Sequence, residues 1–187
     1  MAYPITIVDG RPQLDSLPVG KIVNYPLEKR DYRPFAQFRL CVNEEGLHLY
    51  LWAFELEVSP KSVQRVCLNL CPGQRKHLDL ALFGNGSARL SIWEGDRVLE
   101  EQPVEVHPLC GEDLQGVYWG GQYLLPWGEI RRIFGRDQFQ QGDTVRGNLY
   151  KTCDDEAYFH QGCFFPVDFQ SIDPYGERFF GEFAFTR

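Results

Sequence analysis

No stretch of this 187-residue chain approaches the ~20 consecutive apolar residues that a membrane-spanning helix needs, so no membrane partner is expected. A positive patch is missing too. The net charge is -7, and the densest basic group, Lys29, Arg30 and Arg33, is preceded by Glu28 and interrupted by Asp31. Binding to a phosphate backbone relies on a clustered positive field, so nucleic acid is not expected as a partner either. Residues 1–10 lack a basic segment followed by a long apolar run, and no secretory signal is therefore expected. Among catalytic fingerprints there is no G-x-S-x-G elbow, P-loop, H-E-x-x-H helix or G-x-G-x-x-G turn. Repeats, heptads, low-complexity tracts and long linkers are absent as well, which predicts a single domain over residues 1–187. The sequence carries no signature of its oligomeric state.

What the chain has in quantity is aromatic side chains, 14% of residues, together with eighteen glycines and twelve prolines. Aromatics favour strands, and glycine and proline favour turns, so the composition predicts a β-rich domain. Six cysteines, at positions 41, 67, 71, 110, 153 and 163, are enough for three bridges. Without a secretory signal, reduced thiols in a cytoplasmic protein are the expectation, because cytosolic thiols are kept reduced. Removal of a signal peptide would instead make the protein a secreted one. Cys67 and Cys71 lack the second half of a structural zinc site and read as packing residues.

Side-chain alternation predicts strands at residues 3–8, 21–25 and 36–42, with a break at DYRPF, residues 31–35, because Pro34 pushes its predecessor away from helix. The clearest strand spans residues 47–56. There Leu47, Leu49, Leu51 and Ala53 alternate with an aromatic stripe of His48, Tyr50, Trp52 and Phe54. The stripe is either a sugar-stacking platform or a second buried face, with Trp52 the member best placed to reach a surface. Further strands are predicted at 64–70 and 77–83 around the Cys71-Pro72-Gly73 turn, and at 88–93 after Asn85-Gly86. An edge strand carrying Pro103 follows at 98–107, then strands at 116–126, 162–167 and 179–185. One helix is predicted over residues 127–134, with Ile130, Ile133 and Phe134 as its apolar side and Gly135 to end it. The fold class expected is all-β, an antiparallel β-sandwich with one short helix, and a closed barrel is the alternative.

Chemistry is concentrated in VRGNLYKTCDDEAYFH, residues 145–160. It reads as a strand with Val145, Gly147 and Leu149 on one face and Arg146, Asn148 and Tyr150 on the other, running into an acidic turn at Asp154 and Asp155. Strict alternation puts Lys151 on the Leu149 side, so it joins Arg146 and Asn148 only if the strand ends or bulges there. YWGGQYLLPWGEIRRIFG, then GNLYKTCDD, His160, Pro166 and the terminal FFGEFAF resemble, in that order, the C-terminal half of family 9 carbohydrate-binding modules, over residues 118–185. The resemblance implies a β-sandwich that binds sugar between aromatic rings, with amide and charged side chains bonding its hydroxyls. Carried onto this chain, it implies stacking by Trp93 or Trp119 and hydrogen bonding by Arg146, Asn148 and Lys151. Two departures stand out: Lys61-Ser62-Val63-Gln64-Arg65 where the family has an acidic entry to a middle strand, and Phe164-Phe165 where relatives place a tryptophan.

The expected function is that of a non-catalytic carbohydrate-binding domain with a saccharide ligand. The alternatives are an intracellular protein-interaction module on the same scaffold and a glycoside hydrolase using two of Glu94, Glu100, Glu101 and Asp113. No cofactor is expected and no metal site is assigned. Asp154 and Asp155 offer oxygen ligands suited to calcium, and His160 an imidazole suited to zinc, without a recognised ligand spacing.

Overall fold

The computed structural model describes residues 2–30, 33–113 and 116–187, apart from the side chain of Asp113. Two residues of the expected DYRPF break, Asp31 and Tyr32, and the side chain of the candidate carboxylate Asp113 thus lie outside the described residues. The elements in chain order are β1 (Tyr3–Ile7), β2 (Gly20–Ile22), β3 (Phe35–Val42), β4 (Gly46–Glu55), β5 (Ser62–Asn69), β6 (Lys76–Phe83) and β7 (Ala88–Glu94). They continue with β8 (Arg97–Val104), β9 (His107–Asp113), β10 (Gly116–Pro126), α1 (Trp127–Phe134), β11 (Thr144–Cys153), β12 (His160–Cys163) and β13 (Gly181–Thr186).

The strands hydrogen-bond in one path, β8-β7-β6-β5-β11-β13-β1-β3-β4-β10-β9, with β12 added beside β11 and β2 beside β3. The expected all-β content and single α-helix are both present. The antiparallel expectation needs correcting, because β1 pairs parallel with β13 on one side and with β3 on the other, which makes the sheet mixed. Parallel neighbours need a long connection between them. β1 and β13 lie at opposite ends of the chain, where no hairpin constrains their direction.

The stretch expected as one edge strand at 98–107 is two strands that separate at residues 105–106. β8 and β9 stand at the two ends of the hydrogen-bonded path, yet two residues join them. Since a residue spans at most ~3.6 Å, the two edges of the sheet must lie near one another, and the sheet curls back on itself. Pro103 lies in β8 where one edge is open, as its missing N–H requires.

Curling encloses one main core. The inward residues of β5, β6 and β7, such as Val66, Leu68, Leu80 and Ile92, meet those of β3, β4 and β10, such as Phe38, Leu40, Leu49 and Leu125. α1 adds Ile130, Ile133 and Phe134 to this core, and Gly135 adopts φ 70° so that its N–H closes the helix on the Arg131 carbonyl at 2.8 Å. A smaller apolar cluster forms on the outer face of β5 and β11. There Val167, Phe169 and Phe180, from the segment after β12, cover Cys67, Tyr150 and Cys163. The strand expected at 162–167 is displaced to His160–Cys163, and residues 164–180 leave the sheet to provide this cover. All six cysteines are free thiols.

Candidate functional site

The site residues expected from sequence separate into three places. β11 keeps strict alternation without a bulge, pairing residue by residue with β5 from Arg146 opposite Asn69 to Cys153 opposite Ser62. Lys151 therefore points with Leu149 into the interior, fully buried, and does not join Arg146 and Asn148. Its Nζ lies 2.8 Å from Glu55 Oε1, 2.7 Å from His160 Nε2 and 5.4 Å from the centre of the Trp119 ring. Trp119 is itself only 6% exposed, and its indole N–H donates to Glu55 at 2.8 Å. Stacking on sugar by Trp119 is thereby corrected, as is hydrogen bonding by Lys151. Residues 119 and 151 point inward like their aliphatic neighbours and belong to a buried polar cluster that anchors the two halves of the sheet.

Protonation in that cluster follows from donor counting. An ammonium only donates, so His160 Nε2 accepts from Lys151, while Nδ1–H donates to the Tyr158 carbonyl at 2.7 Å. Burial, and then the Lys151 charge, push the imidazole down to about 4, so it is neutral. Burial also lowers Lys151, and the Glu55 carboxylate opposes this. Glu55 takes a further bond from Ser62 Oγ at 2.8 Å.

Asn148 is fully buried and has an anchoring role. Its Nδ2 donates to the carbonyls of Phe165 and Phe179, both at 3.0 Å, and its Oδ1 accepts from the N–H of Phe165 at 2.9 Å. With every polar atom engaged, it has none to offer a ligand, which corrects that expectation also. Arg146 is exposed and donates to the Phe180 carbonyl at 2.6 Å.

Trp93, the remaining candidate, is half-buried at the mouth of a cavity of about 240 Å³ on the outer face of β5, β6 and β7. Alternation along these strands turns Arg65, His77, Asp79 and Trp93 away from the main core, and the cavity lies over them. A register shift opposite Ile92 and Trp93 bulges the β7–β8 pair beside the tight turn at Gly95, whose φ of 61° suits glycine. The opposite wall is the Asp173-Pro174-Tyr175-Gly176 turn. Tyr175 lies with its ring 4.5 Å from the Arg65 guanidinium carbon and edge-on to Tyr150 at 4.9 Å. Trp93 lies parallel to the His77 ring, 6.2 Å away, and His77 in turn meets Phe180 edge-on.

The polar groups of this cavity are incompletely paired. Arg65 Nη1 bonds Asp79 Oδ2, and both side chains are mostly buried, at 17% and 8% exposed. Yet Arg65 Nε, Asp79 Oδ1 and Trp93 Nε1, all three buried, have no hydrogen-bond partner among the described residues. Such atoms are rare in folded proteins and each is costly, and three of them belong to residues that line this one cavity. Burial raises the Asp79 carboxyl against the pull of Arg65, and it lowers His77 against the pull of Glu177. Two aromatic faces, a guanidinium, a carboxylate and an indole N–H converge here. They can pack against the C–H face of a sugar ring and bond its hydroxyls.

Of these residues, only Trp93 is a ligand contact that the resemblance implies. Arg65 and Asp79 left a signal, as charged residues at the outward positions of strands whose inward positions are aliphatic. Tyr175 carried none beyond its place in a turn. Two of the candidate carboxylates are engaged elsewhere. Glu100 is held by Arg132 at 2.6 and 2.9 Å, a contact that keeps its carboxyl low, and Glu101 accepts from Ser91 at 3.1 Å. Asp155 accepts from Ser59 at 3.0 Å while His160 is turned inward, so the Asp154, Asp155 and His160 set is not gathered. Among the described residues no three His, Cys, Asp or Glu side chains group as metal ligands would, and no helix is long and apolar enough to cross a membrane.

No protein-family model and no curated protein matches this sequence. Solved structures do. A protein from Bacteroides uniformis ATCC 8492, described as a "putative carbohydrate-binding protein", superposes with a TM-score of 0.71 over all of both chains at 14% identity. A family 9 carbohydrate-binding module from Caldicellulosiruptor kristjanssonii, in complex with cellotriose, gives a TM-score of 0.64 at 9% identity, covering 100% of this chain and 94% of the other. The same organism's family 9 module in complex with glucose gives 0.61 at 9% identity, covering 98% and 96%. This chain therefore has the fold of family 9 carbohydrate-binding modules over essentially its whole length.

Proposed function

We propose that the protein is a non-catalytic carbohydrate-binding domain whose saccharide occupies the cavity between Trp93 and Tyr175. The observation that carries the reading is the set of unpartnered buried atoms, Arg65 Nε, Asp79 Oδ1 and Trp93 Nε1, around one cavity with an aromatic ring on each side. Two are donors and one is an acceptor, a mixture that suits hydroxyls, which do both. A cavity of about 240 Å³ suits one sugar ring, bound at a chain end or as a monosaccharide. The reading calls on no metal and no cofactor. It is supported further by the shared fold, since the two family 9 modules are complexed with glucose and with cellotriose. The finer description of the curled sheet, two layers packed as a β-sandwich, belongs to the same reading.

Calorimetric titration with a panel of mono- and oligosaccharides tests it. A saccharide should bind the folded protein in the micromolar to millimolar range, and Trp93→Ala should abolish that binding while leaving the fold intact. Absence of binding by any panel member at millimolar sugar would sink the proposal.

A further inference from the structure

The aromatic stripe of β4 leaves His48 and Tyr50 on the outer face of the other half of the sheet, away from the saccharide cavity. Both are buried, at 3% exposed each, and their rings stack in parallel 6.2 Å apart. Beside them lies a polar cavity of about 450 Å³, lined by His48, Tyr50, Gln122, Glu44, Glu45 and Arg11 among others.

Hydrogen bonds fix the state of the imidazole. Asn43 Oδ1 accepts from the backbone N–H of Glu45 at 2.9 Å and of Gly46 at 3.3 Å, so it is the carbonyl oxygen of the amide. His48 Nε2, 2.9 Å from the same oxygen, must then carry the proton and donate. Burial keeps the ring below the ordinary histidine range and hence neutral at physiological pH, against the pull of Glu45 and Glu44. Nδ1 is left as a lone-pair acceptor. It is buried and has no hydrogen-bond partner among the described residues.

The rest of the cavity has the same bias. Glu44 spends one carboxylate oxygen on the Gly10 N–H at 3.2 Å and keeps the other, and Glu45 stands 3.8 Å from His48. Against these two carboxylates and the imidazole nitrogen there is one guanidinium, that of Arg11. The charged groups of the lining therefore carry an excess of one negative charge, with the buried His48 Nδ1 as a further acceptor. A neutral polyol brings one donor and two acceptor lone pairs per hydroxyl and no charge. A primary ammonium brings three donors, no acceptor and the missing positive charge.

We propose that this cavity is a second binding site, taking a small ligand with a protonated primary amine of the chemical class of a 2-amino sugar. It shares no residue with the Trp93–Tyr175 cavity and stands independently of the function assigned to that one. The test is a titration of the wild-type protein with glucosamine and, separately, with glucose, followed through the backbone amide resonances. Glucosamine should shift the amides of Gly10, Asn43 and His48, whereas glucose at equal concentration should leave them in place. The double variant Glu44→Gln, Glu45→Gln changes two exposed side chains and should fold normally. Its glucosamine affinity at this site should fall about fivefold, as expected for the loss of two partly solvated charge contacts, while Trp93→Ala should not affect it. Shifts of equal size with glucose, unchanged affinity in the double variant, loss of the shifts in Trp93→Ala, or no shift of these amides at all would each overturn the proposal.

Discussion

Replacing Lys151 by methionine separates the anchoring role of this residue from the ligand-binding role its sequence context suggests. The ammonium is fully buried, 2.8 Å from Glu55 and 2.7 Å from His160. Methionine matches much of the volume but, among the described residues, leaves the Glu55 carboxylate with only Trp119 and Ser62 as donors and leaves His160 Nε2 with none. Removing one partner of a buried pair costs about 3–5 kcal/mol, because the other charge is stranded in a medium that solvates it poorly. In a domain of this size that is ~6–20 °C in melting temperature, at roughly 2–4 °C per kcal/mol. The double variant Lys151→Met, Glu55→Gln removes both charges yet keeps an amide oxygen to accept from the Trp119 indole and an amide NH2 to donate to the Ser62 hydroxyl, so it should recover part of the loss. Denaturant unfolding of the wild type and both variants, with saccharide titration of each folded protein, provides the measurement. A loss below ~1 kcal/mol in the single variant, or a double variant less stable than the single, would refute the reasoning. So would saccharide affinity that collapses in a folded Lys151→Met protein, because the cavity lies on the other face of β5.

Stability should fall on acidification. His160 protonates at about 4 in the folded protein against an ordinary value of 6.5, so between these the unfolded chain holds more protons. The stabilisation is complete above pH 6.5 and is lost as pH drops toward 4, by on the order of 2–3 kcal/mol for this one group. His48 and His77, also held low by burial, act in the same direction, whereas the raised Asp79 opposes them. Unfolding midpoints that stay level or rise through that window would contradict the assignment of neutral buried imidazoles. Trp119→Ala should cost about 3–5 kcal/mol of stability, as for other buried tryptophans, without changing saccharide affinity in the protein that remains folded. Asp79→Asn keeps the shape of the cavity but removes a charged acceptor, and calorimetry should show saccharide affinity reduced by roughly tenfold or more, as charge-assisted bonds of ~1.5–3 kcal/mol imply. Undiminished affinity would place the ligand elsewhere.

Much of the fold is legible in residue patterns. Leu47, Leu49, Leu51 and Ala53 alternate so regularly that β4 is visible to within one residue at each end, and Ile130, Ile133, Phe134 and Gly135 delimit α1. The parallel pairing of β1 is not visible, because it joins strands from opposite ends of the chain. The break at residues 105–106 is equally silent, being a consequence of where the sheet edges meet. Site residues were harder still. Lys151 and Asn148 look like ligand contacts through the resemblance to family 9 modules, and only Glu55 in β4 and the Phe165 and Phe179 carbonyls explain their burial. Trp93 enters through the resemblance as a stacking residue and lies half-buried on the outer face of β7, whereas Arg65, Asp79 and Tyr175 come together only through the curl of the sheet and the fold-back of residues 164–180.

The indole N–H of Trp93 reports on whether the saccharide occupies the cavity between Trp93 and Tyr175. The chain has four tryptophans, so its indole resonances are few, and the Trp93→Phe variant identifies the one in question. Trp119 and Trp127 donate to Glu55 and to the Asn43 carbonyl, whereas Trp93 Nε1 has no partner among the described residues. On addition of a binding saccharide, the Trp93 resonance should move furthest among the indoles, in step with the Arg65 and Asp79 amides, while the Trp119 signal stays in place. Saccharide binding that leaves the Trp93 indole unmoved would contradict the account.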